Sequence, residues 1–280
     1  MSQAAPSSSP QPDGRRDLEH GEHDEVERGF VGQDRVPRRL TWRKLLTIPA
    51  FVVVAVGVTL LWLSSQTLDS IARNSLSGVI VREALWQQIK LVAISTFFVL
   101  IIAIPLGIAL TRSGLRRASP FFMALANIGQ ATPALGLLAL LVIWLGIGVR
   151  APLIGIIIYA VLPVLSNTIA GLRAIDPTLV DAARGIGMSH HGVLTRVELP
   201  LAVPLILAGV RTALVLNVGT ATLATFGGGG GLGDLIASGI TNQRMPVLVL
   251  GSVLTVALAL IVDWLAMLAE VVLRPRGLEV

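Results

Sequence analysis

Cysteine is missing from all 280 residues. Its absence removes disulfide scaffolds, thiolate metal sites, cysteine nucleophiles and a lipidated N-terminal cysteine together. Charge is scarce as well: 14% of positions are Asp, Glu, Lys or Arg, against 53% hydrophobic. Soluble domains carry about a quarter charged residues, so this chain falls in the membrane class. Its mean hydropathy of +0.76 agrees. A short apolar stretch near residue 10 or 20 followed by a small-residue cleavage site is also lacking, so no cleavable signal peptide is expected.

The first 46 residues, opening "MSQAAPSSSPQPDGRRDLEHGEHDEVERG", hold eight acidic and eight basic side chains among Pro, Ser and Gly. With almost no apolar periodicity, this stretch reads as a disordered tail. His20 and His23 within it are read as solvated rather than as metal ligands. After the tail come six apolar runs, at about 47–64, 88–111, 120–146, 152–172, 201–224 and 247–273. A crossing of the hydrocarbon needs about 20 residues. Lipid-facing backbone must satisfy its own hydrogen bonds, and barrel-type alternation is missing, so the runs are predicted to be helices. "GQATPALG", residues 129–136, interrupts the third run and leaves open one broken helix or two.

Basic residues set the orientation. With the N-terminus inside, sixteen of the 22 Lys and Arg residues fall on the cytoplasmic side and only Arg73, Arg82, Lys90, Arg150 and Arg244 outside. The predicted topology is therefore multi-pass in the cell inner or plasma membrane with both termini cytoplasmic. The basic pI of 10.9 is accounted for by this topology and not by nucleic acid.

Between the fourth and fifth runs lies a polar cytoplasmic loop, residues 176–200. Asp176-Pro177 is a helix start, supplying a carboxylate for an orphan amide and a proline at the first turn. The helix "TLVDAAR" should stop at Gly185 or Gly187, Ser189 should cap a second short turn, "HHGVLTRV", and Pro200 should end it and open the next membrane helix. Two short helices at an elbow result, with Ala182 and Ala183 forming a nearly flat patch that lets another backbone approach and Asp181, Arg184 and Arg196 on its rim; taken without their spacing, the same residues read equally as a solvated amphipathic loop.

Asp181-Ala182-Ala183, three residues, Gly187, nine residues, Val197, one residue and Leu199-Pro200 resembles the E-A-A-x3-G-x9-I-x-L-P loop of permease subunits in binding-protein-dependent ABC importers, with Asp for Glu and Val for Ile. The resemblance implies an all-α polytopic fold of the type I importer kind, covering 84–274 with the segment at 47–64 before it. It further implies that Asp181, Ala182, Ala183 and Gly187 dock on a cytoplasmic ATPase, while Leu199 and Pro200, after Val197, carry the movement into the fifth helix. "AGVRTALVLNVGTATLATFGGGGGLGDLIASGI", "NIGQATPALGLLALL" and "YAVLPVLSNTIAGL" resemble the branch importing osmoprotectants such as glycine betaine, choline, carnitine or proline betaine. The implied partners are ABC ATPase subunits, an extracytoplasmic solute-binding protein and a second permease subunit, homologous or identical. ATP and Mg belong to the ATPase, and no cofactor is expected in this chain. An aromatic cage for a quaternary ammonium is expected on the binding protein, because one Tyr and five Trp occur here and they do not cluster.

Polar side chains at membrane depth each need a partner or a water-filled cavity. Asn127, Gln130, Asn167 and Asn217 fit either a solute path or hydrogen bonds between helices. Arg211 stands about 16 Å in from Pro200, and Asp263 about 15 Å before Leu273, measured from the same face at 1.5 Å per residue. Equal depth predicts an ion pair locking the fifth and sixth helices; the other reading turns Arg211 to the aqueous cavity or the second subunit.

No enzyme site emerges. "GGGGGLGD" lacks the lysine and hydroxyl of a phosphate loop and reads as a free turn, with Asp234 capping a short helix. His190 and His191 are adjacent and cannot form an i, i+4 zinc pair. Two other functions stay open: the same architecture carrying another small solute such as an amino acid or a sulfonate, and an ion-coupled secondary transporter. The latter calls for mid-membrane carboxylates and inverted repeats; only Asp263 qualifies.

Overall fold

The computed structural model describes residues 42–112 and 114–273, with side chains from 46 onward. The tail with His20 and His23, and the terminal Arg274 and Arg276, lie outside the described residues. Among the described residues every regular element is helical.

The first, α1 (Trp42–Ser64), exposes most of its apolar surface, including Val53, Val54 and Leu61. After a short α2 (Ser70–Ser75), α3 runs over Gly78–Thr111. It starts about ten residues before the predicted 88, because Arg82, Glu83, Gln87 and Lys90 interrupt hydropathy without interrupting the helix. Ends that project past the hydrocarbon tolerate polar side chains.

The third apolar run is two helices, α4 (Ser119–Ala131) and α5 (Ala134–Leu145), bent by 98°. Thr132 and Pro133 take extended backbone angles at the break. Pro133 brings no N–H to the ladder and disfavours helix in the residue before it. The described residues thus hold five helices long and apolar enough to cross a membrane, or six if the bent pair is one span.

At the centre lies α6 (Arg150–Arg173), which packs against α3 and against α9 (Leu199–Ala221). Its buried residues Ala160, Val164, Leu165 and Ile169 form one core cluster with Val99, Ala103 and Leu110 of α3 and Ala213 of α9. Apolar contact alone cannot drive helices together in lipid, so close approach matters. At Gly209 an added Cβ would stand 2.6 Å from the Cβ of Asn167 and 3.0 Å from the Pro163 carbonyl.

Between α6 and α9 lie α7 (Pro177–Gly185) and α8 (His190–Val193). Pro200 was expected to end this loop, but the chain stays helical: a π-helical turn, Leu194–Glu198, joins α8 to α9. The Leu199 amide bonds to the Leu194 carbonyl five residues back. Pro200 has no N–H to place in the ladder, and the extra residue of the π turn falls just before it.

The glycine run follows α9 through a 3-10 turn, Thr222–Gly227, and leads into α10 (Leu232–Thr241) and the long α11 (Met245–Leu273). It is not a free turn. Gln88, fully buried in α3, donates from Nε2 to the Val218 carbonyl at 2.9 Å and accepts the Leu232 amide at Oε1, 3.1 Å. Gln87 Oε1 accepts the Gly231 amide at 3.1 Å. Gly230 and Gly231 have φ of +72° and +99°, a region that side chains resist, and a Cβ on Gly231 would meet Gln88 Oε1 at 2.5 Å. Asp234 does not cap α10 either. Gly231 holds the N-cap position, and Asp234, in the first turn, accepts a hydrogen bond from Thr225 Oγ1.

Candidate functional site

The elbow is built from local signals. Asp176 accepts the Thr178 amide at 2.9 Å with Pro177 in the first turn of α7. That backbone hydrogen bond holds the exposed carboxyl below its ordinary value of 3.8. At the other end Gly187 takes φ +87°, its amide bonds to the Arg184 carbonyl at 2.9 Å, and Met188 bonds to the Ala183 carbonyl at 3.1 Å. This is a Schellman stop, which closes the carbonyls a helix end leaves open. Ser189 Oγ then accepts the Gly192 amide at 3.2 Å and starts α8.

The flat alanine patch needs correcting. Ala182 is exposed, but Ala183 is buried, 7% exposed, where α7 folds onto α8 and the π turn. Successive helical residues point about 100° apart, so paired alanines cannot share one face. The outward stripe is Leu179, Ala182 and Ile186, at i, i+3 and i+7; Ile186 is 79% exposed. Asp181 and Gly187 are exposed beside it, Val197 and Leu199 are half-buried, and Pro200 lies at the start of α9. Asp181 and Arg184 approach only to 4.0 Å and are well exposed, a contact of little energetic weight.

A further contact ties the elbow to the bundle. Arg112, at the C-terminal end of α3, donates from Nη2 to Glu198 Oε2 at 2.5 Å, with the Glu198 side chain 11% exposed. Arg173 Nη2 similarly donates to the buried Ser119 Oγ at 2.6 Å, joining the end of α6 to the start of α4. Sequence reading missed both, since the Arg112–Glu198 partners are 86 residues apart and nothing local connects them.

Within the bundle, Arg211 of α9 and Asp263 of α11 form a two-pronged pair. The guanidinium donates from Nε to Oδ1, and from Nη2 to Oδ2 at 2.6 Å. Both side chains are partly buried, 38% and 21% exposed. The polar candidates do not gather in one place. Asn217 is fully buried and donates from Nδ2 to Thr96 Oγ1 at 3.0 Å, linking α9 to α3. Asn167 is half-buried and donates to the Pro163 carbonyl of its own helix at 2.8 Å. Asn127 and Gln130 are exposed on α4 beside the bend.

Taken together these features define a polytopic helical membrane subunit whose polar elbow projects from one end of an apolar bundle. The chain belongs to the family of binding-protein-dependent transport system inner membrane components, whose model matches residues 103–270. It is 36% identical to the choline transport system permease protein OpuBB of Bacillus subtilis (strain 168), over 69% of this chain and 88% of that one. It is 40% identical to the osmoprotectant import permease protein OsmY of Salmonella typhimurium, over 64% of this chain and 76% of that one. A chain of the inward-facing MetNI methionine ABC transporter has the same fold, with a TM-score of 0.61 and 22% identity over 70% of this chain and 96% of that one.

Proposed function

We propose that this chain is the permease subunit of an ATP-driven importer for a small osmoprotectant of the glycine betaine, choline or carnitine kind. It pairs with a second permease subunit, identical or homologous. A separate ATPase binds ATP and Mg and grips the α7–α8 elbow, and an extracytoplasmic binding protein delivers the solute. Both termini and the elbow are cytoplasmic in this reading, which the excess of Arg and Lys on that side supports. The relatives named for choline and osmoprotectant transport support the solute class.

One observation carries the mechanism: an elbow capped at both ends presents Leu179, Ala182 and Ile186 outward while Glu198, at its junction with α9, is held by Arg112. A docking ATPase thereby gains a short lever continuous with α9 through the π turn. Nucleotide-driven closure moves the elbow, and α9 and α3 follow together. Asn127, Gln130 and Asn167 are the side chains available to a solute path, and Asn217 joins it only if α3 and α9 part. Ion coupling through Asp263 is disfavoured, because both carboxylate oxygens are engaged by Arg211.

Ala182→Trp tests this reading. In the native host, the variant should insert normally yet lose ATPase co-purification and uptake of radiolabelled glycine betaine, choline and carnitine together. An inserted variant that stays ATPase-bound and fully active refutes the coupling role. Wild-type uptake that survives ATP depletion but collapses with an ionophore refutes the energy source.

A further inference from the structure

Residues at the end of the bundle remote from the elbow line a cavity of about 480 Å³, a size typical of small-molecule sites. Lys90 of α3 and Asp234 of α10 both line it. Lys90 stands 21 residues before Thr111, about 32 Å at 1.5 Å per residue. The hydrocarbon is about 30 Å thick, so the cavity opens at the far membrane boundary from Arg112 and the elbow.

Its two charges are unmatched. Among the described residues Lys90 forms no ion pair; its ammonium stands 5.8 Å from the centroid of the exposed Trp86 ring, a weak contact at such a site. Asp234 likewise has no cationic partner, and only its Oδ1 is engaged, by the Thr225 hydroxyl. The rest of the wall is the glycine loop, held in place through Gln87 and Gln88, together with Leu91, Ile94 and Val149. The lining therefore brings together a lysine, an aspartate and apolar side chains, with a glycine loop between that is hydrogen-bonded to α3.

We infer that this cavity is a binding site for a small zwitterion whose carboxylate pairs with Lys90 and whose cationic, methyl-bearing end lies between Asp234 and the Leu91–Ile94–Val149 wall. The inference rests on the proposed import of such solutes and adds a place in this chain where the solute is held on entering the membrane subunit. A molecule carrying both charges matches both groups, whereas a cation without a carboxylate leaves Lys90 unanswered. A charge-assisted hydrogen bond in a partly exposed site corresponds to about tenfold in affinity.

The test is saturation-transfer NMR on the full chain in lipid nanodiscs, titrated with glycine betaine and separately with choline. The wild type should bind glycine betaine about tenfold more tightly than choline. Lys90→Gln should erase that preference, Lys90→Arg should retain it, and Asp234→Asn should weaken both ligands. No transfer to glycine betaine above empty nanodiscs, or a preference unchanged in Lys90→Gln, overturns the site. Because binding is read without partners or ATP, its failure is distinct from failure of the uptake experiment, which tests the importer reading itself.

Discussion

The Arg211–Asp263 pair gives the most exacting test of how this bundle is held together. Asp263→Ala leaves an arginine about 16 Å along the helix from Pro200, a depth close to the middle of a hydrocarbon layer about 30 Å thick. Placing an unpaired Arg at the centre of a membrane helix costs about 3 kcal/mol on insertion scales. The Arg211 side chain is 38% exposed rather than enclosed by neighbouring helices, which leaves it room to reorient once unpaired, so we take about 2 kcal/mol for the single change. Arg211→Ala should cost a similar amount, because it strands the less exposed carboxylate of Asp263. Removing both leaves no orphan charge, so the double variant should recover about 2 kcal/mol relative to the sum of the singles. The assay is a double-mutant cycle on the purified chain, unfolded by denaturing detergent and followed by far-UV circular dichroism, with accumulation in membranes as a second readout. Additivity of the two singles within about 0.5 kcal/mol would refute direct pairing as the source of stability.

Three other outcomes are expected. Arg112→Met with Glu198 left in place should cost about 1–3 kcal/mol by stranding a mostly buried carboxylate, and Glu198→Gln should lower uptake more than it lowers membrane accumulation; equal losses in both would mean the contact serves folding alone. Gly209→Val should destabilise by about 1–3 kcal/mol, since overpacking against the Pro163 carbonyl has no side-chain escape, whereas Gly57→Val, with nothing within 4 Å, should be nearly neutral in the same unfolding assay. The folded carboxyl of Asp176 titrates below 3.8, so its capping contribution is complete above that value and fades as the pH falls through the lower folded one. Hydrogen exchange of the α7 amides should accordingly lose protection on acidification in that window, and Asp176→Ala should show low protection and no such step at any pH.

Several features were legible without coordinates because their causes are local or one-dimensional. Asp176-Pro177, Gly187 and Ser189 announce the elbow, since a cap needs only the few residues around it. Arg211 and Asp263 could be matched because a bilayer turns position along a helix into depth, and a charge at depth needs a partner at the same level. What depth does not give is direction around the helix axis or which distant segments meet. Adjacent in sequence, Ala182 and Ala183 read as one surface, yet helical rotation and the fold-back of α7 bury Ala183. The glycine run looked free because its restraints come from Gln87 and Gln88, 144 residues away along the chain. Arg112 reaching Glu198 was likewise decided by packing, whereas the break between α4 and α5 is marked locally by Pro133 and only its 98° angle is read from the fold. Amino-acid order alone determined which segments are apolar enough to enter the membrane, where the elbow starts and turns, and which charges lie at matching levels. Only the tertiary structure decided which faces meet, because hydropathy and capping act within a turn or two of helix, whereas contacts between helices depend on side-chain shape summed over segments far apart in the chain.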